Sequence, residues 1–261
     1  MSRLSVIMIT CNEQTTLRRC IDSVRFADEI VVVDNGSTDG TVTLARSLGA
    51  KVIETADWPG FGAQKNRALA AASGDWVFSL DADEWIEAPL ASEIQAVIAD
   101  PNAADGYEIP RCSRFCGRIV RHCGWSPDYV LRLFRRTQGR FSDDLVHEKV
   151  ILDGSRGRLK HSIQHESITD AADALDKVER YAAAAADMLI ARGRKASRLT
   201  AIARGCWAIF NTLIVRGGVL DGQTGFQVAL YNFRYTYRKW LVVAEASAVG
   251  HRNRSGANHV V

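Results

Sequence analysis

Glu29-Ile30-Val31-Val32-Val33-Asp34, running on into Asn35-Gly36-Ser37-Thr38-Asp39-Gly40-Thr41, is the stretch on which the fold turns. A short β-branched run closed by an Asn, Gly and Asp cluster reads as a buried strand that turns directly into a helix. A plain strand-to-helix connection does not require the carboxylate of Asp34 at its end. Such a carboxylate can accept hydrogen bonds from a base or a ribose. Outward from this point, residues 4–10, 51–54 and 76–80 share the β-rich character, while 16–24, 41–48, 62–72 and 89–98 carry helical spacing. Strand, helix, strand repetition builds an α/β fold, a parallel sheet covered by helices on both faces. Ligands of such sheets collect at the carboxyl ends of the strands, so 10–13, 34–39 and 81–84 are expected along one crevice.

A mixed section follows, with strands expected at 106–111 and 129–134 and loops rich in Arg, Cys and Gly, and about the last ninety residues read as helical. Leu175, Val178, Ala182, Ala185 and Leu189 recur at spacings of three and four, with Gly193 placed to end that helix. A second helix is predicted over 198–215, stopped by Gly217 and Gly218. A third begins near Thr224 and carries Phe226, Leu230, Phe233, Tyr237, Trp240 and Leu241 on one side. The expected organisation is a catalytic domain at 1–165, a helical extension at 166–249 and a polar, disordered tail at 250–261.

The 261 residues are 47% hydrophobic and 24% charged, which excludes a disordered peptide or a disulfide miniprotein. A formal net charge of only +3 does not point to a polyanion, and no nucleic-acid partner is expected. The charge is uneven. Arg111, 114, 118, 121, 132, 135, 136 and 140 face a single acid in that stretch, Asp128, so it can hold phosphates or carboxylates. The chain opens straight into a strand pattern without a signal-peptide layout, and no apolar run is long enough to span a bilayer. A cytoplasmic location with reduced thiols is therefore expected. Cys112, Cys116, His122 and Cys123 lie close in sequence but lack the paired C-x-x-C spacing of structural zinc sites.

Leu80-Asp81-Ala82-Asp83-Glu84, directly after an apolar strand, is the strongest chemical signal. Two strand-end carboxylates one residue apart can share a divalent cation, Mg²⁺ or Mn²⁺, with the oxygens of a diphosphate. That cation would neutralise a departing nucleotide diphosphate. Thr10-Cys11-Asn12-Glu13 would form another wall of a nucleotide pocket, and Gln64-Lys65-Asn66-Arg67 adds cationic donors near a helix start. An acidic turn capping the next helix and an ordinary exposed helix face are the bland readings of these motifs.

Together these segments resemble the inverting glycosyltransferases of the GT-A fold, called family 2, across roughly the first 150 residues. The resemblance implies a Rossmann-like nucleotide-sugar-binding mixed sheet. It places Thr10, Asn12, Glu13, Asp34 and Lys65 or Arg67 at the nucleotide, Asp81 near the ribose and Asp83 on the metal. Asn35 departs from the pattern, since many members carry a second Asp there. Gly124-Trp125, Arg132-Leu133-Phe134-Arg135-Arg136, Val146-His147-Glu148, His165 and the run from Gly217 to Phe226 look like bacterial lipopolysaccharide core glucosyltransferases. This narrower resemblance implies UDP-glucose as donor, a lipopolysaccharide core or other glycolipid as acceptor, and Arg132, Arg135 and His147 toward acceptor or phosphate.

Inversion needs a base to take the acceptor proton on the face opposite the leaving group. Glu148 is the first candidate, with Asp144 and Asp143 as rivals. Two other functions compete: a metal-dependent nucleotidyltransferase, which would want a Gly-rich basic loop after the first strand, and a non-catalytic glycan-binding protein, which would need neither metal nor base. The Phe226, Leu230, Phe233, Tyr237 and Trp240 stripe, flanked by Arg234, Arg238 and Lys239, predicts peripheral attachment to the inner face of the cytoplasmic membrane, or else packing of the aromatics onto the catalytic domain with the cations in water.

Overall fold

The computed structural model describes residues 2–142 and 148–256, with side chains described up to residue 248. In chain order the first elements are β1 (Leu4–Thr10), α1 (Leu17–Ser23), β2 (Glu29–Asp34), α2 (Thr41–Ser47), β3 (Lys51–Glu54), α3 (Phe61–Ala71), β4 (Trp76–Ser79), β5 (Glu84–Trp85) and α4 (Ala88–Ala99). A β-rich section follows, with β6 (Gly106–Phe115), β7 (Arg118–Ile119), β8 (Asp128–Arg135), β9 (Gly139–Phe141), β10 (Val150–Leu152), β11 (Arg156–Arg158) and β12 (Ile163–Ile168). The chain ends in α5 (Ala171–Ala191), α6 (Arg198–Phe210), a π-helical turn (Asn211–Val215), a 3-10 turn (Gly218–Asp221) and α7 (Gly222–Gly256).

The sheet runs in the order β3-β2-β1-β4-β8-β6-β12-β5. β1 pairs in parallel with both β2 and β4, whereas β8 pairs antiparallel with β4 and β6. The sheet is therefore mixed. Period-two alternation sends Val6 and Met8 of β1, Val32 of β2 and Phe78 of β4 into one core, and Ile7, Val31, Val33 and Val77 into the other. Helices α1, α2 and α4 cover the first core through Leu17, Ile21, Ala45, Leu90 and Ile94; α3 covers the second through Ala68. Apolar side chains on both faces are why β2 reads as an unbroken valine run instead of an alternating one.

By internal packing the chain divides into two units, Met1–Cys112 with Asp128–His165, and Ser113–Pro127 with Glu166–Val261. A single cut at 165 would leave Ser113–Pro127 in the first unit. It belongs with the helices because Phe115, Val120 and Cys123 share a core with Ile168, Ala174 and Val228. Within the helical unit Asp221 ties that excursion down: its carboxylate accepts from the backbone N–H of Arg121 and His122 and lies 2.9 Å from Nδ1 of His122. Gly225 sits so close to the carbonyl of Gly218 that a Cβ there would fall 1.8 Å from its oxygen. The Gly-Gly-Val-Leu-Asp-Gly run is thus a packed corner. Cys123, buried beside Asp221, has its thiol pushed up to about 12 by burial first and by that carboxylate second, so it is inert as a thiolate.

Two expectations for the last helix change. It continues to Gly256, past residue 250 where a tail was expected to begin. Its aromatic stripe is also not one free surface: the rings of Phe233 and Tyr237 stack 5.8 Å apart and lie against Gly205 of α6, whose missing side chain makes room for them. Arg238 pairs with Glu179 of α5 at 2.9 Å, and Arg204 of α6 lies over the ring of Trp240. Among the described residues, no helix is long and apolar enough to cross a membrane.

Candidate active site

Register alone brings the first two motifs together, because Thr10 and Asp34 are partners at the ends of β1 and β2. The Thr10 hydroxyl donates to Asp34 at 2.7 Å, and the same carboxylate accepts from the backbone N–H and the hydroxyl of Ser37 at 2.8 and 2.5 Å. Asp34 is fully buried. Asn12 adopts a left-handed φ of 60°, which Asn tolerates better than most residues, and its amide oxygen accepts from the N–H of Thr38 while its own N–H donates to Ser37. Asp34 and Asn12 therefore lock the segments that follow β1 and β2 in this conformation. Glu13 accepts from Thr16 at 2.8 Å, and its backbone N–H donates to Thr41.

The second centre grows from Asp81, just beyond β4. Lys65 of α3 is buried, and a buried ammonium is costly unless paired. Its Nζ lies 2.8 Å from Asp81 and 2.7 Å from Glu148. Arg132 of β8, also buried, reaches the other oxygen of Asp81 at 2.6 Å and Glu84 at 3.0 Å. Burial alone would raise the Asp81 carboxyl, but Arg132 and then Lys65 outweigh it and hold the group well below the usual carboxylate range. For Arg132 burial pulls downward, and Asp81 and Glu84 overcome it, so the guanidinium stays charged. The result is a fixed lattice of alternating charge.

Asp83, two residues on, stands apart from that lattice and lies 3.3 Å from Nε2 of His165 on β12. Both side chains are part-exposed. A carboxylate oxygen and an imidazole nitrogen converging at the strand ends are a donor pair that suits Mn²⁺ or Mg²⁺ when phosphate oxygens complete the shell. Among the described residues, no group of three His, Cys, Asp or Glu side chains converges to hold a metal. Nearby Cys20 is buried, and burial first, then the surrounding carboxylates, raise its thiol well above the ordinary value.

Glu148 reaches this centre through a clamp on the segment before it. The side-chain amide of Asn66 on α3 both donates to the carbonyl of Phe141 at 3.0 Å and accepts from its N–H at 2.9 Å. The N–H of Ser142 donates to the carbonyl of Lys149 at 2.9 Å, and its hydroxyl accepts from the N–H of Lys149 at 3.1 Å. Gly62 permits the approach: a Cβ there would fall 1.8 Å from the oxygen of Ser142 and 3.5 Å from Cβ of Glu148. Gly62→Ala is therefore expected to displace Glu148 and cut turnover by about 10²-fold, the scale of an ångström-sized misplacement. Steady-state kinetics beside a melting curve checks this; a variant with wild-type turnover would show that the clamp is irrelevant to catalysis.

Not every expected residue joins the cluster. Arg67 turns away into a two-point pair with Asp57 at 2.6 and 3.0 Å and a bond to Gln64. Arg135 is opposite Trp76, at the amino end of β4, with its guanidinium over that indole, so it sits at the wrong end of the sheet for acceptor or phosphate. Arg132 is in the site but consumed by Asp81 and Glu84, a positioning residue instead of an acceptor contact. Asp143, Asp144 and His147 lie outside the described residues. Ser37, Glu84 and Asn66 were expected only as members of motif segments and His165 only through the narrower resemblance, none of them with a role of its own.

Comparison with known proteins agrees with this geometry. The model of glycosyl transferase family 2 matches residues 5–153. The chain is 31% identical over 203 residues to a lipopolysaccharide core biosynthesis glycosyltransferase, LpsC, of Rhizobium meliloti, covering 74% of this chain and 73% of that one. An uncharacterized glycosyltransferase of Rickettsia typhi is 27% identical across 98% of this chain and 90% of its own. Among solved structures, S. aureus TarS 1-349 in complex with UDP aligns over 95% of this chain and 92% of its own, at 17% identity and a TM-score of 0.49. The chain belongs to glycosyl transferase family 2 and is a glycosyltransferase.

Proposed function

We propose that the protein transfers a sugar, with inversion, from a nucleotide diphosphate donor to a hydroxyl of a glycolipid, with UDP-glucose as donor and a lipopolysaccharide core as acceptor. The observation that supports this most is the ion chain Asp81, Lys65, Glu148, with links of 2.8 and 2.7 Å. It joins a candidate base to the strand-end acid motif from 67 positions away in sequence. The role of the Rhizobium relative in lipopolysaccharide core biosynthesis supports the acceptor class. Family membership displaces both the nucleotidyltransferase and the non-catalytic readings.

In this reading Asp83 and His165 hold the divalent cation, Mn²⁺ or Mg²⁺. Such a cation, when bound, supplies charge neutralisation at the departing diphosphate. The acceptor oxygen forms its bond to the anomeric carbon as the bond from that carbon to the diphosphate oxygen breaks, and the bonding pair leaves with the diphosphate. The acceptor proton passes to the carboxylate of Glu148. Lys65 orients Glu148 before the step, and Asp81 with Arg132 keeps Lys65 in place. Thr10, Asn12 and Glu13 border the nucleotide, on a wall that Asp34 braces from beneath. The enzyme works at the cytoplasmic face of the membrane that holds its acceptor.

A donor panel tests the reading. Purified protein with Mn²⁺ or Mg²⁺ is offered a set of nucleotide sugars, and nucleotide release and the rise in melting temperature are recorded. UDP-glucose is expected to give both signals, lost with EDTA. A panel in which no uridine nucleotide binds would overturn the donor assignment.

A further inference from the structure

We propose that the outward face of α6 and of the turns that follow it docks into an anionic lipid interface. For its biological sense the proposal rests on the glycolipid-acceptor reading, while its geometry belongs to the helical unit alone. One side of α6 is packed: Ala201 and Gly205 are buried, as is Thr212 in the π-helical turn, and Gly205 receives the ring of Phe233. At 100° per residue, Leu199, Trp207, Phe210 and Ile214 fall on the opposite arc, with Ile202 on its flank. All five are exposed, Leu199 by 77% and Trp207 by 61%. On the 3-10 turn, which packs against the π-helical turn, Leu220 is 72% exposed. A helix resting on its own protein in water would turn polar residues outward here; apolar exposure on this scale marks an interaction surface.

Charge identifies the occupant. From residue 188 to residue 220 the chain has no Asp or Glu, yet Arg192, Arg194, Lys195, Arg198, Arg204 and Arg216 all lie there and all are exposed. A second copy paired through this face would bring two acid-free cationic surfaces together, which is repulsive. An anionic headgroup layer instead matches the cations and takes up the apolar side chains between them. The rings of Trp207 and Phe210, 5.5 Å apart, supply the aromatic anchor favoured at that depth.

Vesicle co-sedimentation tests the proposal, using phosphatidylglycerol-containing and pure phosphatidylcholine vesicles at low and high salt. Wild-type protein is expected to sediment with the first and not the second, and to be released by salt. The double variant Trp207→Ser/Leu220→Ser should partition at least about tenfold less, since two interfacial anchors are removed. The triple variant Arg194→Gln/Lys195→Gln/Arg198→Gln should lose the preference for the anionic lipid. Every altered side chain is exposed, so unchanged melting curves verify folding. Absence of sedimentation with phosphatidylglycerol vesicles, wild-type binding by the double variant, or a wild-type dimer that this variant dissociates without any lipid binding would each overturn it. Asp83→Ala keeps the two readings separable: it should sediment like wild type while failing to transfer sugar. Sedimentation without transfer from any donor, even by the wild type, would sink the function and leave the surface.

Discussion

Asp83→Ala is expected to lower sugar transfer by roughly 10²- to 10³-fold, the scale for removing one group that stabilises charge developing in the transition state. The side chain is part-exposed, stands outside the lattice around Asp81 and has His165 as its neighbour, so its loss leaves no buried charge unpaired. The melting temperature should therefore stay close to wild type. Asp81→Ala would behave differently, because Lys65 and Arg132 would both lose a partner in the interior. Calorimetric titration with UDP, with and without Mn²⁺, separates the effects: the wild type should bind more tightly with the metal, and Asp83→Ala should lose that increment. Near wild-type turnover by Asp83→Ala in EDTA would remove the metal from the mechanism.

Glu148→Gln is expected to reduce kcat by roughly 10²- to 10⁴-fold with little change in donor affinity, as for loss of a general base. The amide is nearly isosteric with the carboxylate and still accepts from Lys65, while Asp81 continues to balance the lysine charge. Folding should be retained. An active Glu148→Gln together with an inactive Asp144→Asn would transfer the role to Asp144.

Much of the site was legible because it lies at strand ends. Residues in β1, β2 and β4 announce themselves by β-branched runs, and parallel pairing then carries Thr10, Asp34 and Asp81 to one edge whatever the loops between them do. The expected strands at 4–10, 29–34 and 51–54 match those observed; apolar burial on both faces leaves little freedom in the limits of the first two, while the third is a half-exposed edge strand. The arginines were less legible. A guanidinium reads the same in sequence whether it faces a phosphate, a buried acid or an indole. Arg67, Arg132 and Arg135 met an exposed aspartate, two interior carboxylates and a tryptophan ring respectively.

Local sequence thus determined the α/β class, the strand-end acids and the family, because hydrophobic periodicity and turn chemistry act over a few residues. Tertiary structure decided what each charged group does. Burying Lys65 forces it to find counter-charges, and the two it finds lie 16 and 83 positions away, at Asp81 and Glu148. The cost of an unpaired ion in the interior, which no local pattern encodes, is what gathers Glu148, Lys65 and the acid motif into one cluster. The same holds in the helical unit, where Gly205 turns the aromatics of α7 inward and leaves the apolar face of α6 to the outside.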